Sequence, residues 1–209
     1  MIAVNEVRVC MNEAGARRQP FLFGVDFELS EGFFVLDPLG QQEILFEGGG
    51  VSNSPMREGI SGVLSEKMFS MNPMAYEVYQ EKFAVVREGV ARGDSFLLNL
   101  TVATGLDTNW TLEEIFHRAQ SPYRLLVPGR FVCFSPEIFV RMDEGMISSY
   151  PMKGTIDASV PDAERVILED YKERSEHNTI VDLIRNDLNR VAERVDVKRF
   201  RYIDRLRVS

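Results

Sequence analysis

Apolar residues in the first third of the chain come in short runs separated by turn residues. Phe21-Leu22-Phe23-Gly24-Val25-Asp26-Phe27, Phe33-Phe34-Val35-Leu36 and Glu43-Ile44-Leu45-Phe46 predict strands. Ser30-Glu31-Gly32 and Asp37-Pro38-Leu39-Gly40 predict the turns between them. Gly48-Gly49-Gly50-Val51-Ser52-Asn53 predicts a loop. No helix carrying Lys-Ser/Thr follows at phosphate-loop spacing, so the glycine run is read as a turn rather than a phosphate cradle.

Further along, the period changes. Met74, Val78, Tyr79, Phe83, Val86 and Val90 recur at helical spacing and predict a helix from Pro73 to about Ala91, ended by Arg92-Gly93-Asp94. Ser95 to Val102 is dense in Phe and Leu and predicts a strand covered on both faces. Thr111-Leu112-Glu113-Glu114 predicts a short helix with Thr111 as its cap. Tyr123 to Val127, Phe131 to Phe134 and Ile138 to Met142 predict strands of one antiparallel sheet, with Met146 to Tyr150 returning toward Lys153. Pro161-Asp162-Ala163-Glu164 opens a helical region reaching about Arg194, with a break expected near Ser175. Strands and helices are mixed rather than strictly alternating, which predicts the α+β class over a doubly wound sheet.

Composition narrows the function. The chain has 209 residues, 44% of them hydrophobic, enough for one sizeable core or for one domain with part of another. Its net charge is −8 and no basic run is present, which disfavours nucleic acid and anionic membrane as partners. Cys10 and Cys133 stand far apart among apolar neighbours and are read as buried free thiols. No Cys-x-x-Cys or Cys/His cluster offers a zinc site. Met1-Ile2-Ala3-Val4-Asn5-Glu6 lacks the features of a signal peptide, and no apolar run reaches the ~20 residues of a membrane span. A cytoplasmic location is therefore expected.

Several positions have the chemistry of a site. Lys153, in Ser149-Tyr150-Pro151-Met152-Lys153-Gly154-Thr155, sits between a proline and a glycine that would hold its backbone tightly. The local residues leave two readings open, a surface lysine or an amine aimed into a pocket. As a nucleophile it must shed a proton, which means moving its pKa from about 10.4 toward ~7–8, about 4 kcal/mol. Glu173 and Glu176, three residues apart on a helix, share one face. They are either a solvated face partnered by Lys172 and Arg174 or an oxygen-donor site for Mg²⁺. His177 follows Glu176 directly and would hydrogen-bond substrate or orient a ligand, or else simply pack; His117 has no companion groups. Asp182, Arg185, Asn186 and Asp187 read as a buried polar network. Glu137, in Phe134-Ser135-Pro136-Glu137-Ile138, has apolar neighbours that suit a general acid, although an isolated turn glutamate is usually exposed.

Taken in order, Gly93-Asp94-Ser95-Phe96-Leu97-Leu98-Asn99-Leu100-Thr101, Ser135-Pro136-Glu137, Pro151-Met152-Lys153-Gly154-Thr155, Glu173-Arg174-Ser175-Glu176-His177 and Val181 to Leu188 with Asn189-Arg190-Val191 resemble the chorismate-utilising enzymes. Within that family the pattern is most similar to aminodeoxychorismate synthase component I, and it covers the chain from about Pro73 onward. The resemblance implies layered antiparallel sheets with outer helices. It also implies that residues 1–209 are the N-terminal portion of a single chorismate-binding catalytic domain. About 1–70 would be abbreviated N-terminal strands and about 73–209 the motif-bearing part. By the same resemblance Lys153 is the covalent lysine and Glu137 the acid that protonates the departing hydroxyl. Glu176 and Glu173 would ligate Mg²⁺, while His177, Thr155 and Gly154 lie on the substrate side. The implied reaction makes 4-amino-4-deoxychorismate from chorismate and ammonia, the ammonia coming from a separate glutamine amidotransferase subunit. Anthranilate synthase component I is the alternative within the family, and its motif usually carries a small residue where this chain has Lys153. Relatives that activate water carry a lysine where this chain has Leu97. Relatives also continue past this chain's last residues with further glutamates and a glycine-rich segment. A non-catalytic fragment or docking remnant is therefore the alternative from another class, and an exposed sheet edge leads to the expectation of a homodimer or exchanged elements.

Overall fold

The computed structural model describes residues 1–54, 68–95, 98–152 and 154–205. They fall into two compact units, Met1–Ser135 and Pro136–Ser209. Antiparallel strands and helices are mixed in the α+β manner that the sequence predicts.

The first unit begins with strand β1 (Ile2–Ala3) and helix α1 (Val4–Ala16). The helix corrects the reading of the first third as strands and turns alone. Val7 and Ala14 recur two turns apart and are buried, with the helix-favouring Glu6, Arg8, Met11 and Glu13 around them. Strands β2 (Phe21–Val25) and β3 (Glu31–Leu36) pair with Phe21 opposite Leu36 and Val25 opposite Gly32, and β1 adds to the far edge of β3. Helix α1 packs on β2 and β3. Gly24 leaves room for the buried Phe33 opposite it: a methyl group on Gly24 would fall 2.4 Å from the Phe33 ring.

Strands β4 (Leu45–Gly48) and β5 (Val51–Ser52) form a hairpin, which corrects the loop predicted over Gly48 to Asn53: only Gly49 and Gly50 turn, while Gly48, Val51 and Ser52 pair as strand. Strand β6 (Phe69–Asn72) is followed by helix α2 (Tyr76–Arg92) and by β7 (Gly105–Thr108), which pairs back onto β6. Helix α2 ends as the sequence predicts. Gly93 takes φ 84°, its N–H bonds Val90 O, and the Asp94 N–H bonds Gly89 O. The strand predicted over Ser95 to Val102 is not found. Phe96 and Leu97 lie outside the described residues, while 98–102 pair with no strand and Leu98 is exposed.

Helix α3 (Leu112–Arg118) opens on a capping box: the Glu114 N–H donates to Thr111 Oγ1 at 3.1 Å, and the Thr111 N–H donates to Glu114 Oε2 at 3.0 Å. Strands β8 (Arg124–Val127) and β9 (Phe131–Phe134) complete a four-stranded sheet in the order β5-β4-β8-β9, with Leu45 opposite Leu126. Helix α3 is held on this sheet by Arg124. Its Nη1 donates to Phe116 O at 3.1 Å and Ala119 O at 2.9 Å, its Nη2 donates to Glu47, and its guanidinium lies 5.2 Å from the ring centre of buried Phe116. The two last-turn carbonyls of α3 thus gain a cationic donor.

The second unit holds the hairpin of β10 (Arg141–Asp143) and β11 (Met146–Ser148) and the helices α4 (Ala163–Glu169) and α5 (Tyr171–Leu188). The hairpin corrects the expectation of one sheet running through Ile138 to Met142. Ser135 turns the chain at φ 41°, and Pro136 has no N–H to give a ladder, so 138–140 stay unpaired and β10 begins at Arg141. The helical break falls at Asp170, not near Ser175. Asp170 is extended at φ −60° and ψ 122°, ends α4, and caps α5 by accepting the Glu173 N–H at 2.8 Å. The reading of Asp182 to Asp187 as a buried network is also corrected. Asp182 and Arg185 pair at 3.4 Å in solvent, and Asn186 and Asp187 are exposed. Cys10 and Cys133 are free, as expected, but only half-buried. No helix among the described residues is long and apolar enough to cross a membrane.

Thr111→Ala is expected to cost about 1 kcal/mol of stability by urea denaturation, with Thr111→Ser retaining most of it. An unchanged midpoint in Thr111→Ala would remove the capping box from the account of this turn.

Candidate functional site

The Asp170 cap fixes where α5 starts and therefore which way its first turns face. Lys172, Glu173 and Glu176 fall in that opening stretch, and the glutamates, three residues apart, point to one side. Lys172 Nζ lies 3.3 Å from Glu173 Oε1 and 3.5 Å from Glu176 Oε1, closing the two carboxylates with one ammonium. The glutamate side chains are mostly covered, at 23% and 33% exposure, whereas Lys172 is 72% exposed. The hydrogen bond to Glu173, followed by the charges of Glu173 and Glu176, holds the Lys172 ammonium above its ordinary pKa.

The other oxygen of Glu173 faces the loop after β11. Gly154 takes φ 75°, and a methyl group there would lie 2.8 Å from Glu173 Oε2 and 3.2 Å from Ile167 Cδ1. The segment predicted to carry the nucleophile is thereby seated against the glutamate helix. Lys153 itself lies outside the described residues. Thr155 is exposed and Pro151 half-buried on either side of it.

His177 stands one residue past Glu176 and is half-buried. Its ring meets Phe200 edge to face at 5.2 Å between centres, and its Nδ1 is buried without a hydrogen-bond partner. Arg201, whose Nη2 donates to Ile167 O at 3.2 Å, brings positive charge nearby. Burial, and secondarily the Arg201 charge, hold the imidazole below its ordinary pKa of 6.5. Glu137 lies in the exposed stretch before β10 and has no hydrogen bond or ion pair among the described residues. Ser149 Oγ donates to Phe139 O at 2.9 Å, which ties the Glu137 loop to the strand end that leads into Pro151.

The structure therefore sets Gly154 against Glu173 and joins Glu173 to Glu176 through Lys172, while His177 packs on Phe200 and Glu137 stays in solvent. Lys172 was read only as a partner on a solvated face, yet its four-residue spacing to Glu176 is a legible signal. Phe200 and Arg201 carried no signal, being more than twenty residues from His177 in sequence without any periodic relation to it. Two carboxylates fit a hard cation that is completed by waters and substrate oxygens. Among the described residues no group of three or more His, Cys, Asp or Glu side chains is placed to hold a metal ion.

A carboxylate pair that can take a hard cation, beside a tightly turned loop, suits recognition of a small anionic molecule. Residues 58–208 match the model of the chorismate binding enzymes, and the chain belongs to that family. It is 45% identical over 199 residues to an uncharacterised PabA-like protein of Haemophilus influenzae, covering 95% of this chain and 60% of that protein. It is 33% identical to aminodeoxychorismate synthase component 1 of Klebsiella aerogenes, over 57% of this chain and 29% of that one. It is 32% identical to an anthranilate synthase component 1 of Haloarcula marismortui, over 61% of this chain and 28% of the relative. The chain spans about 60% of the length of the PabA-like relatives. No solved structure matches it.

Gly154→Ala is expected to destabilise the second unit by about 1–3 kcal/mol, because it forces a side chain into a left-handed conformation against a carboxylate. Urea denaturation of the two proteins measures it, and equal midpoints would refute the close contact. The depressed His177 pKa means that the unfolded chain binds more protons than the folded one below 6.5. The His177 contribution should be full above pH 6.5 and decline as the pH falls from 6.5 through the folded pKa. Unfolding free energy measured across that window should slope less in His177→Gln than in the unmodified chain.

Proposed function

We propose that this protein acts in forming 4-amino-4-deoxychorismate from chorismate and ammonia. The observation that carries the reading is the seating of Gly154 against the Glu173 carboxylate, which puts the chain neighbour of Lys153 at the helix face bearing both glutamates. Glu173 and Glu176 hold Mg²⁺, which when bound supplies positive charge for the ring carboxylate of the substrate. His177, Thr155 and Gly154 line the substrate side.

Lys153, as the free amine, forms a bond to C2 while the bond from C4 to its hydroxyl breaks. Glu137 gives that hydroxyl a proton, so it leaves as water. Ammonia then adds at C4, the lysine–C2 bond breaks, and the amine returns to Lys153 with the ring double bonds restored. Arginine at 153 would not serve, since the guanidinium keeps its proton. A glutamine amidotransferase subunit supplies the ammonia. Anthranilate formation is the second reading, favoured by similarity to anthranilate synthase component 1 that nearly equals the similarity to aminodeoxychorismate synthase.

Incubation with chorismate, Mg²⁺ and ammonium should yield aminodeoxychorismate by chromatography, lost in Lys153→Ala. Chorismate binding should require Mg²⁺ and vanish in Glu176→Ala. Anthranilate as the product would overturn the assignment in favour of the second reading. Neither product nor Mg²⁺-dependent binding would favour a non-catalytic docking role.

A further inference from the structure

We propose that Lys172 is a tethered counter-cation that occupies the glutamate pair and must be displaced when a divalent cation enters. This rests on the assignment of Glu173 and Glu176 to Mg²⁺ ligation. The geometry is that of a competitor: one ammonium lies 3.3 Å from Glu173 Oε1 and 3.5 Å from Glu176 Oε1, between the two carboxylates assigned to the cation.

The helix gives Lys172 no reason of its own to be there. It is the second residue of α5, where the exposed backbone N–H groups and the helix dipole favour negative charge. A lysine four residues before a glutamate is also the weaker order for a helical ion pair. What holds the ammonium is the two carboxylates, and what keeps that hold loose is its 72% exposure to water. Both features suit a cation that leaves easily. Glu173 and Glu176 share one face of α5 through the helix itself, whose start the Asp170 cap sets by accepting the Glu173 N–H. The ligand pair therefore persists once Lys172 swings away. In the absence of metal, the ammonium relieves the repulsion between two half-buried carboxylates. In the presence of metal, it raises the concentration needed for occupancy.

The test is direct titration with Mn²⁺, which prefers the same oxygen donors, reading free Mn²⁺ by electron paramagnetic resonance. Lys172→Met should bind Mn²⁺ about two- to fivefold more tightly than the unmodified chain, the upper part of the range expected for losing an exposed competing ion pair. Lys172→Arg, which keeps the charge, should bind as the unmodified chain does, and Glu176→Gln should lose binding. Equal or weaker binding by Lys172→Met, with Glu176→Gln still inactive in binding, would overturn the role of Lys172 and leave the glutamate site standing. Mn²⁺ binding by none of the proteins would overturn both. Circular dichroism of each variant excludes loss of fold as the cause.

Discussion

A methyl group on residue 154 would lie 2.8 Å from the Glu173 carboxylate, and the loop after β11 packs on α5 within that limit. The position demands glycine twice over, once for its left-handed φ and once for the space. Glu173 has neighbours at three of its polar groups. Its backbone N–H is held by Asp170, one oxygen meets the loop, and the other meets Lys172.

The first unit solves a different problem. Its three- and four-stranded sheets are joined to helices α1 and α3 by apolar burial, with Val7, Ala14, Phe33, Phe116, Leu126 and Val127 as the buried core. Arg124 then ties the carbonyl end of α3 to β4 across 77 positions of sequence through its bond to Glu47. The same guanidinium covers the Phe116 ring, so a polar group completes an apolar core instead of interrupting it.

What could be read from the sequence was local. The Gly93 stop and the Thr111 cap were legible because each depends on residues within one turn. Phe131 to Phe134 was legible because a short aromatic and β-branched run has few other folds. Sheet membership was not legible. β8 pairs with β4, and nothing in the period of either strand names its partner. Helix α1 was missed because its burial is confined to a narrow stripe, with Val9 exposed on the opposite side. At the site, the spacing of Glu173 and Glu176 was enough to place both carboxylates on one face. Gly154 could be seen as a turn residue, but its contact with Glu173 is tertiary and left no mark in the spacing. Glu137 was read for its apolar neighbours, yet neighbours in sequence do not cover a side chain when the strand after it begins only at Arg141.

Among the described residues the six buried core side chains belong to the first unit, and none of the second falls in the buried class. Amide protons should report this division as two levels of protection against exchange with solvent, the lower one belonging to the half that carries the glutamates. For such a half, affinity and order are one equilibrium: whatever occupies the carboxylates also stabilises the packing of α4, α5 and the loop between β11 and α4. A ligand bound there would spend part of its binding free energy on closing opened forms of this half, standing in for the core that the half lacks.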